Sequence, residues 1–304
     1  MPKDMAASVR QKLRDLARAR NEDFDYVLRQ YVIQRLLYRL SCSEYSEQFL
    51  LKGALLFWVW HENFHRPTRD IDLLSFGNND VPHLVDVFRQ IVNINDGLDD
   101  GLVFDIDSVN GIEIKEEADY PGVRLTGFVN LAKARIPFQV DIGYGDAVLP
   151  EPEKAELPSF LDFPSPQLRV YPPYAVVAEK FQAMVMLGIA NSRMKDFYDI
   201  KTIARTMQLD GAILSEAIKA TFKRRKTEIS KARLYIFSDV FKQDKDKQVQ
   251  WAAFLNKNGL EKDVSFSEIV DGVQDFLEPV CEAIAEQLDF KQQWLSDEFK
   301  WKSM

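Results

Sequence analysis

The first sixty residues place most of their hydrophobic side chains at the spacing of an α-helix. Residues 8–20 and 24–40 each carry an apolar stripe that repeats every three or four positions. This period is typical of amphipathic helices. A shorter and almost wholly apolar segment, 54–60, is predicted to be a buried helix that stops before Pro67.

From Arg69 onward, apolar and polar residues alternate, which is typical of β-strands. Clusters of Gly, Asn, Asp and Pro delimit four such segments, which are 70–76, 102–109, 123–131 and 136–142. One further helix is expected around 81–92, between the first two strands.

After Pro150, repeated prolines predict a linker or extended connection. Helical patterns then return over 174–187, 195–207, 212–221 and much of 247–302. The predicted fold class is therefore α/β (α+β), with a mixed sheet. We expect three parts, which are an N-terminal helical extension (1–48), an α/β core (49–160) and a helical C-terminal domain (161–304).

Composition narrows the class of protein. Apolar residues make up 46% of the chain and charged residues 28%, which is enough for a large buried core. Cys42 and Cys281 are too few for a disulfide framework. The chain shows neither a membrane-spanning apolar run nor a signal-peptide pattern, so we expect a cytoplasmic protein with no membrane partner.

The net charge of −8 argues against a protein that coats nucleic acid over its whole surface, but it allows a local basic groove. One candidate, here called the basic run, consists of Lys219, Lys223, Arg224, Arg225, Lys226, Lys231 and Arg233. Only one acid, Glu228, lies among them. The alternative interpretation is a solvated helix end.

The first candidate for chemistry is an acid pair, Asp70 and Asp72. In a strand, both carboxylates point to one face, about 7 Å apart along the backbone, and Ile71 points to the other. Carboxylate pairs suit Mg²⁺, which completes its shell with water and phosphate oxygens. A surface pair without function is the alternative.

A third acid, Asp141, follows the same alternation. It shares a strand face with Gln139, while Val140 points to the opposite side. Three carboxylates on strands suit two Mg²⁺ ions about 3.5–4 Å apart, the arrangement used for in-line displacement at phosphorus.

Lys52 and Gly53 precede the predicted buried helix. A glycine there lets backbone N–H groups approach a triphosphate at the helix N-terminus. Arg66 and Arg69, together with Lys52, add positive charge around a leaving pyrophosphate. A glycine that merely makes a tight turn is the alternative, but its combination with three acids favours a nucleotide site.

Together these segments resemble the AbiEii/AbiGii toxin nucleotidyltransferases, which include the MenT toxins and lie within the DNA polymerase β-like superfamily. The resembling stretches are FLLKGA (49–54), RPTRDIDL (66–73), QVDIG (139–143), GD (145–146), AEK (178–180) and NSRMKDFYD (191–199), with shorter similarities at 29–31 and 220–222. They follow one another in the family's order and span most of 25–225. Ala54 departs from the family, which usually has a second Gly or a Ser there, and the gap to Asp70 is longer than the common spacing.

This resemblance implies a nucleotidyltransferase core that uses Mg²⁺ and an NTP. It also implies a cognate antitoxin and an acceptor hydroxyl, which in some members is the 3′ end of tRNA. Metal binding is implied for Asp70, Asp72 and Asp141, and Asp141 would also help to activate the acceptor hydroxyl. Lys180 and Lys195 would be catalytic contacts to the nucleotide phosphates. The implied nucleotide-binding residues are Lys52, Gly53, Ala54, Arg66, Thr68, Arg69, Asp196 and Asp199, of which the last two orient the phosphate-binding groups. For Asp196 and Asp199, a surface ion-pair network is the alternative.

Two other functions compete with this one. His61, Glu62 and His65 fit the H-E-x-x-H pattern of zinc peptidases. Pro67 ends the helix soon afterwards and His83 is the only other histidine, so we favour nucleotidyl transfer. A non-catalytic, partner-binding protein on a transferase scaffold is the third reading, and the intact acids argue against it.

Overall fold

The structure is a computed structural model that describes residues 4–61, 66–95, 97–116, 120–229 and 234–303. The chain divides into two compact units. The first comprises Met1–Gly145 with Glu153–Tyr171, and the second comprises Asp146–Pro152 with Pro172–Met304. No helix in the described ranges is long and apolar enough to cross a membrane.

The first unit combines helices with one large sheet. Its described helices are α1 (Met5–Arg20), α2 (Phe24–Ser41), α3 (Leu55–His61) and α4 (Val81–Val92). Its described strands are β1 (Phe49–Lys52), β2 (Ile71–Ser75), β3 (Leu102–Glu116), β4 (Tyr120–Leu131), β5 (Ala134–Tyr144), β6 (Glu153–Glu156) and β7 (Gln167–Val170).

These strands form a mixed sheet in the order β3-β4-β5-β2-β1-β7-β6. The pairs β2–β5 and β1–β7 are parallel, and the other neighbours are antiparallel. Along β5, Ile136, Phe138 and Val140 are buried while Arg135 and Pro137 are exposed. The β4–β5 region therefore has one covered face and one open face. Asp141 lies an even number of residues from Arg135 and Pro137 and so belongs to the open face.

Buried charges tie α2 to the segment that precedes β3. Arg35 and Arg39 bind the carboxylate of Asp100 at 2.9 and 2.7 Å, and all three side chains are nearly inaccessible to solvent. Burial alone would raise the pKa of Asp100, but the hydrogen bonds and charges of the two arginines outweigh it and lower that pKa.

Two segments differ from their sequence-based expectations. The proline-rich connection contributes β6 and β7, and β7 joins the sheet through the register pair Leu51 and Val170. Both strands are short, and β6 is the edge strand of the sheet, where nearby prolines are tolerated. The tail that was predicted to be helical ends instead in two strands, because its alternating residues from 292 onward pair with each other.

The second unit is mainly helical. Its described helices are α5 (Pro173–Leu187), α6 (Met194–Thr206), α7 (Gly211–Arg224), α8 (Asp239–Lys242), α9 (Lys245–Asn258) and α10 (Phe266–Ala285). Its described strands, β8 (Leu209–Asp210), β9 (Gln292–Leu295) and β10 (Lys300–Ser303), form a small sheet in the order β10-β9-β8. Trp294 is fully buried, and its indole N–H donates to the carbonyl of Ala204 at 2.6 Å.

Candidate active site

Three carboxylates meet on the sheet of the first unit. Asp70 immediately precedes β2, Asp72 lies within β2, and Asp141 lies on β5. One oxygen from each lies within 4.8 Å of the others. Among the described residues, this is the one group of three or more acidic, histidine or cysteine side chains placed to hold a metal ion.

Strand register explains how these acids converge. Asp72 and Asp141 are direct partners across the parallel pair β2–β5. On the outer sides, Asp72 is paired with Lys52 of β1, and Asp141 with Arg124 of β4. Since register partners point to the same side of a sheet, the four residues form what we call the charged row, with two acids between two cations.

Arg124 holds Asp141 with both arms of its guanidinium. Its Nε donates to Oδ1 at 2.8 Å and its Nη2 to Oδ2 at 2.7 Å. These hydrogen bonds, together with the charges of Asp141, Asp70 and Asp72, raise the pKa of Arg124 above its usual value. The amide of Gln139 also donates to both Asp141 oxygens, at 3.2 Å. The carboxylate plane is thereby fixed from two sides.

A short relay positions Asp70. The amide of Gln30 on α2, which is fully buried, donates to the carbonyl of Thr68 at 2.6 Å. The hydroxyl of Thr68 in turn donates to Oδ1 of Asp70 at 2.6 Å. The position of α2 therefore fixes the segment that leads into β2 and orients the carboxylate of Asp70.

Gly53 approaches the acids more closely than any other residue type allows. Its φ is +76°, and a Cβ placed there would lie 1.9 Å from Oδ2 of Asp72. The backbone between β1 and α3 is thus in direct contact with the carboxylate. Its neighbour Ala54 is buried, and Lys52 lies 5.7 Å from the ring centroid of Tyr171.

Other predicted site residues lie in the second unit. Asp196 and Asp199 on α6 are fully buried, and Lys180 on α5 binds both, at 2.8 and 2.9 Å. Arg193 also pairs with Asp196. Burial would raise the pKa of Asp196, but Lys180 and Arg193 lower it. The alternative interpretation, a surface ion-pair network, therefore does not apply to either aspartate, whereas Lys195 is exposed.

The basic run needs one correction, at Arg225. Its side chain is 6% exposed and binds Asp146 at 2.9 Å, Glu179 at 3.5 Å and the side-chain oxygen of Gln182 at 2.9 Å. It is consequently part of the interior of the second unit. The neighbouring Lys223 is exposed. Lys231 and Arg233 lie outside the described residues.

The zinc motif falls partly outside the described ranges, which omit Glu62 and His65. His61 ends α3, with its ring 6.4 Å from that of Phe57, and His83 is exposed at the start of α4. Arg66 is half-buried and Arg69 is exposed, both within five residues of Asp70.

Arg124 is the residue that sequence reasoning missed. It lies in an unremarkable stretch of β4, and only its register with Asp141 places it at the acids. Gln30 was noticed only as part of a family resemblance. The residues next to Arg124 and Gln30 in sequence do not indicate their roles, because each binds a residue of a distant segment, Asp141 and Thr68 respectively.

Convergent carboxylates on a mixed sheet are typical of enzymes that act at phosphorus. The comparison with known families specifies the class, because the model described as nucleotidyl transferase AbiEii toxin, type IV toxin–antitoxin system, matches residues 35–278. The chain belongs to this family. It is a nucleotidyltransferase, and the family implies an NTP substrate and an antitoxin.

Solved structures with a similar chain path include two from Helicobacter pylori. One, described as a candidate nucleotidyltransferase, is 12% identical with a TM-score of 0.44, and the match covers 86% of this chain and 96% of that chain. The other, JHP933, is 13% identical with a TM-score of 0.43, and the match covers 84% of this chain and 89% of that chain. No curated protein matches the sequence significantly.

Proposed function

We propose that the protein transfers a nucleoside monophosphate from an NTP to the 3′-terminal hydroxyl of tRNA in the presence of Mg²⁺, and that a cognate antitoxin restrains it. The observation that carries the proposal is the meeting of Asp70, Asp72 and Asp141 within 4.8 Å. A compact, all-oxygen donor set fits a hard cation such as Mg²⁺. These three residues would hold the metal.

Bound Mg²⁺ supplies charge neutralisation at the reacting phosphate and at the leaving pyrophosphate. The remaining work falls to the protein. The acceptor oxygen forms a bond to the α-phosphorus while the bond to the bridging oxygen of the β-phosphate breaks, and Asp141 takes the hydroxyl proton. Arg124 and Gln139 orient Asp141 for this task.

Each unit carries its own candidate phosphate-binding cations. In the first unit, Lys52 is the register partner of Asp72. Gly53 has no side chain, so its own backbone lies close to the carboxylate of Asp72. In the second unit, Asp196 and Asp199 orient Lys180, and the exposed Lys195 adds a further positive charge. The proposed nucleotide contacts of the first unit also include Ala54, Arg66, Thr68 and Arg69.

The test is transfer of label from each α-³²P-NTP to bulk deacylated tRNA, with Mg²⁺ or with EDTA. We expect labelling only with Mg²⁺, and none of tRNA whose terminal ribose has been oxidised by periodate. Asp72→Asn should abolish labelling and also growth inhibition by the expressed protein. Asp107→Asn, a matched control at an exposed position of β3, should retain both.

A parallel measurement addresses the peptidase reading. Elemental analysis of the purified protein should find no stoichiometric zinc, and His65→Gln should still transfer nucleotide. One equivalent of zinc that disappears in this variant together with all activity would instead identify a zinc enzyme.

A further inference from the structure

Helix α1 is strongly basic although the protein as a whole is acidic. It carries five cationic side chains and one acid, Asp15, against a net charge of −8 for the chain. The cations are Arg10, Lys12, Arg14, Arg18 and Arg20. Such a local excess of positive charge is the electrostatic footprint of a surface that binds polyanions.

Part of this helix borders a cavity of about 580 Å³, which we call the α1 groove. Arg10 and Arg14 line one side, and Lys133, in the turn between β4 and β5, lines the other. The single acid of the lining, Asp4, caps α1 by accepting from the backbone N–H of Ala7 at 3.1 Å. A second cavity of about 430 Å³ also uses Arg14 and continues along the helix to Arg18.

The three groove cations are not neutralised by acids of the protein. In the described part of the chain, no carboxylate forms an ion pair with Arg10, Arg14 or Lys133, and Nε of Arg10 is buried without a hydrogen-bond partner. The two guanidinium groups lie 5.6 and 5.4 Å from the ring centroid of Phe24. This stacking restrains them without neutralising their charge, which suits bidentate binding of phosphate oxygens.

Lys133 lies in the turn before β5, and the open face of that strand runs from this turn, past Arg135, to Asp141. Ala134 and Asp141 are seven residues apart on β5, which corresponds to roughly 23 Å along the strand. Between them, on the face of Asp141, Arg135 stacks on the ring of Phe128 at 3.7 Å. Arg135 also pairs with Asp105 at 3.4 Å and is exposed, so it places a cation on this face between the turn and the acids.

We propose that the α1 groove binds the phosphodiester backbone of the RNA whose terminal hydroxyl reacts at Asp141. The assignment rests on the proposed function for the identity of the ligand, but the groove is separate from the catalytic acids. It is a second basic surface beside the basic run, from which Arg225 is removed because it is engaged in the protein interior.

The experiment measures binding of bulk deacylated tRNA to the full-length protein over a range of salt concentrations. The test variant is R10A/R14A/K133A. The matched control, K245A/K257A/K262A, removes three exposed lysines elsewhere and gives the same change in net charge. The test variant should bind at least tenfold more weakly. Its plot of log affinity against log salt should become shallower, with a slope about two to three units less negative than that of the wild type. The control should stay within about twofold of the wild type.

Lys133→Glu gives a second reading if the triple variant folds poorly, because this side chain lies in an exposed turn. It should weaken tRNA binding and leave the unfolding temperature unchanged. Equal affinities and slopes for the groove and control variants would overturn the proposal, as would a wild type that binds no tRNA. Wild-type binding that depends on the groove without any labelling of tRNA would overturn only the proposed reaction.

Discussion

Asp72 and Asp141 lie directly opposite each other on the adjacent parallel strands β2 and β5. Each acid has a cation on its outer side, Lys52 for Asp72 and Arg124 for Asp141. Like charges this close destabilise each other unless cations balance them. The charged row is thus balanced in itself, but Asp70 adds a third carboxylate, so the acid group keeps an excess of negative charge that suits a metal ion.

Replacing Asp72 with Asn should lower nucleotidyl transfer at least about a hundredfold, because the charge that a hard cation requires is lost while the side-chain shape is retained. Without metal, the unfolding temperature should stay level or rise, since repulsion within the acid group is relieved. A variant that unfolds yet keeps full specific activity in its folded fraction would show that Asp72 is structural.

Replacing Arg124 with Lys should lower activity or apparent metal affinity about ten- to a hundredfold, the usual effect of losing a partner that orients a metal ligand. Lysine keeps the charge but cannot donate to both oxygens of Asp141 at once. Titration of activity with Mg²⁺ measures the effect. Arg205→Lys, at an exposed position of α6, is the control, and identical Mg²⁺ curves for both variants would contradict the assigned role.

Replacing Gly53 with Ala should abolish activity and destabilise the first unit. Two causes contribute to the loss of stability. One is backbone strain, because the residue has φ +76°, and the other is a clash between the new Cβ and the carboxylate of Asp72. Gly97→Ala separates them, since Gly97 has φ +82° and open space around it. That control should lose only the backbone contribution, about 1–3 kcal/mol. Chemical denaturation of both variants gives the difference, and equal losses would exclude a clash at Asp72.

Replacing Arg225 with Met should destabilise the second unit by about 3–5 kcal/mol, because the buried charge of Asp146 would lose the guanidinium that binds it at 2.9 Å. Lys223→Met, two residues earlier and exposed, should change stability by no more than about 0.5 kcal/mol. Thermal or urea unfolding measures both. A small effect at Arg225 would mean that water reaches Asp146.

Acidification should lower the free energy of unfolding only below about pH 4. The folded-state pKa values of Asp100 and Asp196 are lowered, so their contribution is fully present above the ordinary carboxyl pKa of about 3.9 and is lost as pH falls through the lower folded value. Urea unfolding between pH 6 and pH 3 should therefore show a steep loss only below about pH 4. A steady decline from pH 6 to pH 5 would indicate that other groups control acid stability.

Local patterns in the sequence predicted many of the elements well. The helix at 81–92 and the four alternating segments appear as α4, β2, β3, β4 and β5. The short strands β1, β6 and β7 were not predicted as strands, and β9 and β10 lie at the end of the 247–302 region, much of which was expected to be helical. Their pairing partners lie far away in sequence or across a turn, so hydrogen bonding in the sheet outweighed weak local preference.

The sequence by itself determined which residue types can perform the chemistry. Three acids on alternating segments, with a Lys-Gly pair before a buried helix, pointed to Asp70, Asp72, Asp141 and Gly53, because alternation and backbone freedom are local properties. Only the tertiary structure decided which charges meet. Strand order and register place Arg124 on Asp141, and helix packing buries Arg225 against Asp146. Such contacts depend on the relative placement of distant elements, which no short window of residues encodes.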